Sequence, residues 1–436
     1  MGQASAVEAH AASASLTVQE TVVQDWLKQY SGIKMYGYSG QAFVVDAAGN
    51  IYVTGTSFGL NREASSQNFE TLKYGPRGNK KWARQYNGPA NDEDQASDIA
   101  LDRAGNIYVT GWSVRKSSDS SLPPAWDYAT VKYDPGGNRI WVRRYSSPDS
   151  SRTYYAEHIG TDRAGNSYVT GIEYLIQDNN IQAANFLTLK YNPAGALKWV
   201  RRYHGPKGAK AFPGAMKVDR VGNVYVTGGL ELPGYEYVYA TVKYDTDGNR
   251  KWARRHPGYW ANAIEVDGAG NTYVSGFGWT VKYDPDGGQA WSTPYPGQAH
   301  ALALDKGGNV YATGDSPGAS GEGSMSDFGT IKYDKDGNQL WLQGYNGEGK
   351  QDDIAYAIAV DSYGKIYVTG SSAGVDGVYQ LATIKYGSDG LQEWVQQAST
   401  NDPAGIVVDS AGNIYVSGSS GAVPWQKALT IKYSQQ

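Results

Sequence analysis

One four-residue phrase, Tyr-Val/Ala-Thr/Ser-Gly, occurs eight times in the 436 residues, at Tyr52, Tyr108, Tyr168, Tyr225, Tyr273, Tyr311, Tyr367 and Tyr415. A second, Thr-x-Lys-Tyr, follows each copy and ends at Tyr74, Tyr133, Tyr191, Tyr244, Tyr283, Tyr333, Tyr386 and Tyr433. A Trp comes next, at Trp82, Trp141, Trp199, Trp252, Trp291, Trp341 and Trp394, so only seven Trp follow a Lys-Tyr. The eighth, Trp26 in VQDWLKQY, stands at the opposite end of the chain. A fixed motif order repeated every 40 to 60 residues or so describes a unit that cannot bury its own apolar face and must stack on copies of itself.

Each unit reads as four strands, shown by the stretch from Ser97: SDIALD, NIYVTG, YATVKY and RIWVRRY. The turns between them carry Gly, and the chain holds 55 Gly and 35 Tyr, a composition that suits many short strands. The first strands are rich in small residues (Ala42, Ala100, Gly160, Ala303, Ala359, Gly405), as expected where strands crowd around an axis. The displaced Trp26 predicts closure of a ring, with an N-terminal strand completing the last unit. The expectation is therefore all-β: one eight-bladed β-propeller of four-stranded antiparallel blades over residues 21–436, preceded by a disordered tail over 1–20. A ring of this kind escapes the roughly 250 to 300 residue limit on a single core, because each unit adds its own slice.

The phrase D-x-x-G-N-x-Y-V-T-G followed by T-x-K-Y-D-x-x-G-N-x-x-W resembles the bacterial and archaeal β-propeller repeat family called SBBP, over about Trp26 to Tyr433. That family is usually seven-bladed, whereas eight units are counted in this sequence. The resemblance implies a surface-associated or exported protein with no shared catalytic activity. The turn-then-Trp element is also similar to the docking motif of eight-bladed quinoprotein dehydrogenases, but this chain is shorter and has no Cys for their vicinal pair.

The remaining composition excludes more than it assigns. A net charge of −4 without a long basic run speaks against nucleic acid. Zero Cys removes disulfides, thiolate metal sites and a Cys nucleophile. No apolar run approaches the roughly 18 residues that span a membrane. The opening MGQASAVEAHAASAS has neither a basic start nor an apolar core and is not an intact signal peptide. Following the resemblance, the expected location is extracellular, cell-surface or periplasmic.

Polar residues present in every unit are expected to hold turns and units together. They are Asp46, Asp102, Asp162, Asp219, Asp267, Asp305, Asp361 and Asp409, with Lys73, Lys132, Lys190, Lys243, Lys282, Lys332, Lys385 and Lys432. The turns DTDGN and DKDGN, from Asp245 and Asp334, lack the later bidentate Glu of a calcium loop. Arg143, Arg144, Arg201, Arg202, Arg254 and Arg255 on the fourth strands read as a charged, solvated edge.

Function is expected where units differ. Connections between second and third strands, and between units, share one face and vary in length. The longest are TGWSVRKSSDSSLPPAWD and TGIEYLIQDNNIQAAN, and the shortest runs through Gly276, Phe277 and Gly278. Aromatic residues around that mouth are Trp112, Trp126, Tyr155, Tyr174, Phe212, Tyr235, Tyr259, Trp260, Trp279 and Trp425. Five residues before each repeated Asp lies a variable column: Gln41, Ser97, Glu157, Gly214, Asn262, His300, Tyr356 and Ala404. Strand alternation sends this column toward the axial channel and His158 the other way, away from Glu157. The favoured reading is a non-enzymatic module without cofactor. It binds a carbohydrate, peptide or protein through Trp112, Trp126, Tyr155, Glu157, Trp260 and His300. The alternative is a hydrolase or lyase, metal-assisted or not, built on Glu157, His300 and Asp98. A structural or assembly subunit is the third.

Overall fold

In the computed structural model, the described residues are 22–30, 42–58, 67–116, 125–147, 151–177, 180–319, 326–399, 402–420 and 427–435. Gln41 and Trp425 lie outside them, as do residues 1–21 and the side chain of Ala404.

The ten-residue repeat builds a turn and then a strand. In unit two, Asp102 Oδ1 accepts from the amides of Ala104 and Asn106 (both 2.9 Å), while Oδ2 accepts from Asn106 Nδ2 (2.8 Å) and the Tyr108 hydroxyl (3.0 Å). Gly105, at φ +78°, closes the turn in a conformation that suits Gly. Tyr108 is fully buried, so the strand Ile107–Val114 starts from an anchored residue. The same network holds Asp162 to Asn166 and Tyr168.

A typical unit is an antiparallel sheet in sequence order; in unit three it comprises Arg152–Thr161, Ser167–Gln177, Asn180–Tyr191 and Leu197–Tyr203. The stretch expected to loop out of unit three instead extends this hairpin, with Ile176 paired to Ile181 and Gln177 to Asn180. Val22–Tyr30 pairs antiparallel with the outer side of Lys427–Gln435, with Trp26 opposite Lys432. Eight hydrophobic cores lie among the described residues, each between successive units. One joins Tyr415 and Ala428 to Ile51, Val53, Leu72 and Tyr74, so the units run in a ring.

The expectation of eight separate blades is corrected: the described residues form seven hydrogen-bonded sheets, six with four strands and one with six. Units five and six share the larger sheet. Phe277 and Gly278 are too short a connection to interrupt the strand Thr272–Tyr283, and Gln289–Leu304 runs from one unit into the next. Phe277 at the hairpin tip pairs with Gln298, which also pairs with Asp315 of unit six, and this bridges the two units.

Units one to six each grip the turn of the next, whereas in unit seven Lys385 reaches the Gln435 side chain and Trp394 Nε1 has no hydrogen-bond partner among the described residues. Lys73 Nζ and Trp82 Nε1 both donate to the Pro135 carbonyl (3.1 and 3.3 Å), and Arg84 Nε donates to that of Gly137 (2.6 Å). Lys132, Trp141 and Arg143 do the same at Pro193 and Gly195. Any Cβ on Gly137 would lie 2.8 Å from the Trp82 indole, so the turn packs flush on the ring. Trp26 Nε1 likewise donates to the Pro76 carbonyl at 3.3 Å. The fourth-strand arginines are thus more than a solvated edge. Arg143, Arg201 and Arg254 latch units together, while Arg144 and Arg202 reach Asp127 (3.0 Å) and Glu173 (2.8 Å).

Candidate functional site

The variable column owes its orientation to a repeated irregularity. In seven first strands the register slips by one residue, between Ala96 and Asp98, Ala156 and His158, Pro213 and Ala215, Ala261 and Ala263, Ala299 and Ala301, Ala355 and Ala357, and Pro403 and Gly405. The extra residue is in each case the variable one: Ser97, Glu157, Gly214, Asn262, His300, Tyr356 or Ala404. A bulge re-aims its side chain and resets alternation for the residue after it. The expected separation of Glu157 from His158 is therefore overturned, since both line one cavity.

That cavity, of about 700 Å³, opens at the mouth above units two to four. Ser97, Glu157 and Gly214 of the column border it, with Trp112, Tyr155 and Tyr174 as aromatic walls and Ile172, Ile176 and Ile181 from the tall hairpin of unit three. Gly214 is obligatory here, because a Cβ would stand 2.2 Å from the Ala261 carbonyl oxygen. Glu157 Oε2 is buried and accepts no hydrogen bond from any described residue. Desolvation with nothing to offset it pushes the Glu157 carboxyl up to about 8. Burial lowers the His158 imidazole to about 4, despite a hydrogen bond to the Gly214 backbone, so His158 is neutral near pH 7.

Glu173, in the neighbouring strand, shows what compensation looks like. Burial alone would raise it, but hydrogen bonds and charge from Arg202, joined by Asn185 and Arg152, bring it below its ordinary value.

Around the mouth the aromatic side chains form a continuous arc. Trp112 meets Trp126 (centroids 6.0 Å apart) and Tyr155 (5.7 Å), and Tyr155 meets Tyr174 (5.8 Å). Tyr174 meets Phe212 (6.4 Å), Phe212 meets Trp260 (5.3 Å), and Trp260 meets Tyr259 (6.5 Å). Tyr259 continues to Tyr237 (4.4 Å) and Phe277 (6.2 Å), two members that sequence reading did not single out. Trp260 also lies against the backbone of Gly229, so part of its surface serves packing. Trp126 Nε1 is buried without a hydrogen-bond partner among the described residues. Trp279 leaves the arc to pack against His256 at 5.3 Å. Tyr235, at φ +63° and 82% exposed, sits on a turn beyond it.

The remaining candidates are placed elsewhere. His300 Nε2 bonds to Asp315 Oδ1 (2.8 Å) and its ring lies 5.7 Å from Tyr356, the column residue of unit seven. Asp98 accepts from the amides of Ile99 and Ile159 (both 2.8 Å), fastening unit two to unit three; burial raises its carboxyl to about 7. Of the trio Glu157, His300 and Asp98, only Glu157 lines the cavity. Among the described residues no three His, Asp or Glu side chains cluster in a way that could hold a metal ion. Sequence reading passed over Gln95, Thr153 and the three isoleucines of the cavity wall. Only recognition of the bulge and of the extended hairpin could have found them.

The SBBP beta-propeller repeat is matched at residues 81–113, 140–171 and 393–422. An uncharacterized WD repeat-containing protein, L264, of Acanthamoeba polyphaga mimivirus is 37% identical over 82 residues, 16% of this chain and 6% of that protein's length. Among solved structures, the Dos1 propeller is similar at 9% identity with a TM-score of 0.56, covering 93% of this chain and 95% of that one. The WD40 domain of SCAP from fission yeast is similar at 8% identity with a TM-score of 0.50, covering 95% and 98%. At these identities the likeness is one of fold.

Proposed function

We propose that this protein is a binding module that holds a carbohydrate, peptide or protein partner against the aromatic arc and the cavity beneath it. The observation that carries this reading is the composition of the arc: every member stands where the units differ, on a scaffold whose repeated residues are engaged in turns and latches. Stacked rings offer flat apolar surface at small entropic cost, and because propellers host unrelated functions on one framework, function follows from the site and not from the fold. Export to the cell surface or beyond is part of the proposal, supported by the SBBP matches. Recovery of the native protein from cytosol alone would count against it. The binding reading is tested with glycan and peptide arrays on the full chain. Trp112→Ala and Trp260→Ala should each weaken binding at least roughly tenfold, the usual loss for a central aromatic anchor, with melting temperatures little changed. Binding that survives both substitutions would move the site away from the mouth.

A further inference from the structure

We infer that the cavity beneath the arc is a site for an organic ammonium group, with Glu157 as its counter-charge and Trp112, Tyr155 and Tyr174 as its walls. The inference rests on the binding-module reading and narrows it to a ligand class.

Three observations converge on a cation. The three walls stand close to perpendicular in pairs, 70° between Trp112 and Tyr155 and 76° between Tyr155 and Tyr174. All three rings line the cavity, and an aromatic face attracts a positive charge. Among the described residues, Glu157 Oε2 is buried without a donor and no Lys or Arg borders the cavity. With a neutral occupant Glu157 keeps its proton, whereas an ammonium stabilises the ionised carboxylate and supplies both charge and N–H or polarised C–H contacts. The isoleucine side of the cavity suits the alkyl part of such a ligand. A metal ion is poorly served, because Glu157 is the one carboxylate among the described residues that line the cavity.

The pH dependence separates this ligand from a neutral one that would accept a hydrogen bond from protonated Glu157. An ammonium binds the ionised carboxylate, so its affinity climbs as pH rises from 6 and levels off above the Glu157 titration near 8. A neutral acceptor shows the reverse. Tyr155 and Tyr174, both raised by burial, and His158, lowered by it, do not titrate in this window. Tyr128, which feels the Glu157 charge from behind, is raised well above its ordinary value. The lining residues of units two and four, Gln95, Ser97, Pro213 and Gly214, do not titrate. Asp98, on the adjoining strand, does titrate near 7 and must be controlled for.

The experiment is a titration of the intact protein, followed by tryptophan fluorescence, with tetramethylammonium, with the neutral isostere tert-butanol, and with lysine and trimethyl-lysine peptides. The ammonium probes should bind and the isostere should not. Affinity should rise roughly tenfold per pH unit below the Glu157 midpoint. Glu157→Gln should lose roughly tenfold or more together with the pH dependence, while Asp98→Asn keeps it. The free ion against the peptides tells a small amine from a lysine side chain as the source. Equal binding of the isostere, affinity that falls with pH, or an unaltered Glu157→Gln protein would overturn the inference. If arrays yield ligands lost in Trp112→Ala while the ammonium probes fail, the ammonium inference falls and the binding module stands. If no ligand responds to Trp112→Ala or Trp260→Ala, both fall.

Discussion

Glu157 gives stability a pH dependence opposite in sign to that of a salt-bridged carboxylate. Its folded pKa, near 8, lies above the ordinary 4.5, so the folded state holds a proton that the unfolded chain has released. The contribution is fully present below about pH 4.5 and is lost as pH rises through 8. Replacing Glu157 by Gln removes that loss. The variant should melt with the wild type at pH 5 and roughly 1 to 3 °C above it at pH 9, as thermal scans at the two pH values will show. Glu157 was legible in the sequence because it broke a column. His158 was misplaced because alternation is a two-residue rule, and one bulge inverts it for all that follows.

At the scale of the element, the bulge explains the Gly of the Tyr-Val-Thr-Gly phrase. The slipped register pushes a carbonyl toward it: a Cβ on Gly171 would lie 2.0 Å from the Tyr155 oxygen, and one on Gly111 1.9 Å from that of Gln95. Both approaches are backbone to backbone and cannot be relieved by a rotamer change. Gly171→Ala should therefore destabilise by roughly 1 to 3 kcal/mol in denaturant unfolding. Gly268, which has nothing within 4 Å of its would-be Cβ, should tolerate Ala with little change or a small gain. Strands and turns were readable from the Asp, Gly, Asn and Tyr of each unit, since their chemistry is local. The long hairpin of unit three was read as a loop because IEYLIQDNNIQAAN has no clear alternation; its pairing comes from the partner strand.

For the whole molecule, the order of units and their stacking were readable from the repeats, and the number of sheets was not. Whether two units merge depends on a two-residue connection at Phe277 and Gly278, where periodicity has nothing to say. The first and last described strands meet in one sheet, with Trp26 on the Pro76 turn and Lys432 on Asp25 at 2.9 Å. Deleting the residues through Tyr30 strips an edge strand and its Trp, and should lower the melting temperature by on the order of 10 °C. Trp26→Ala should show a smaller fall. A truncated chain that melts like the intact one would mean that the pairing contributes nothing.

The pairing also sets a clock. Asp25 and its hydrogen-bond partner Ser434 are 409 positions apart, so a ribosome adding about 5 to 20 residues per second makes the first strand wait roughly 20 to 80 s for the last. Throughout that interval VVQDWLKQY is an unpaired edge in reach of other nascent chains. Asp25 and Lys28 within it are the kind of charges that discourage a wrong partner until the right one emerges.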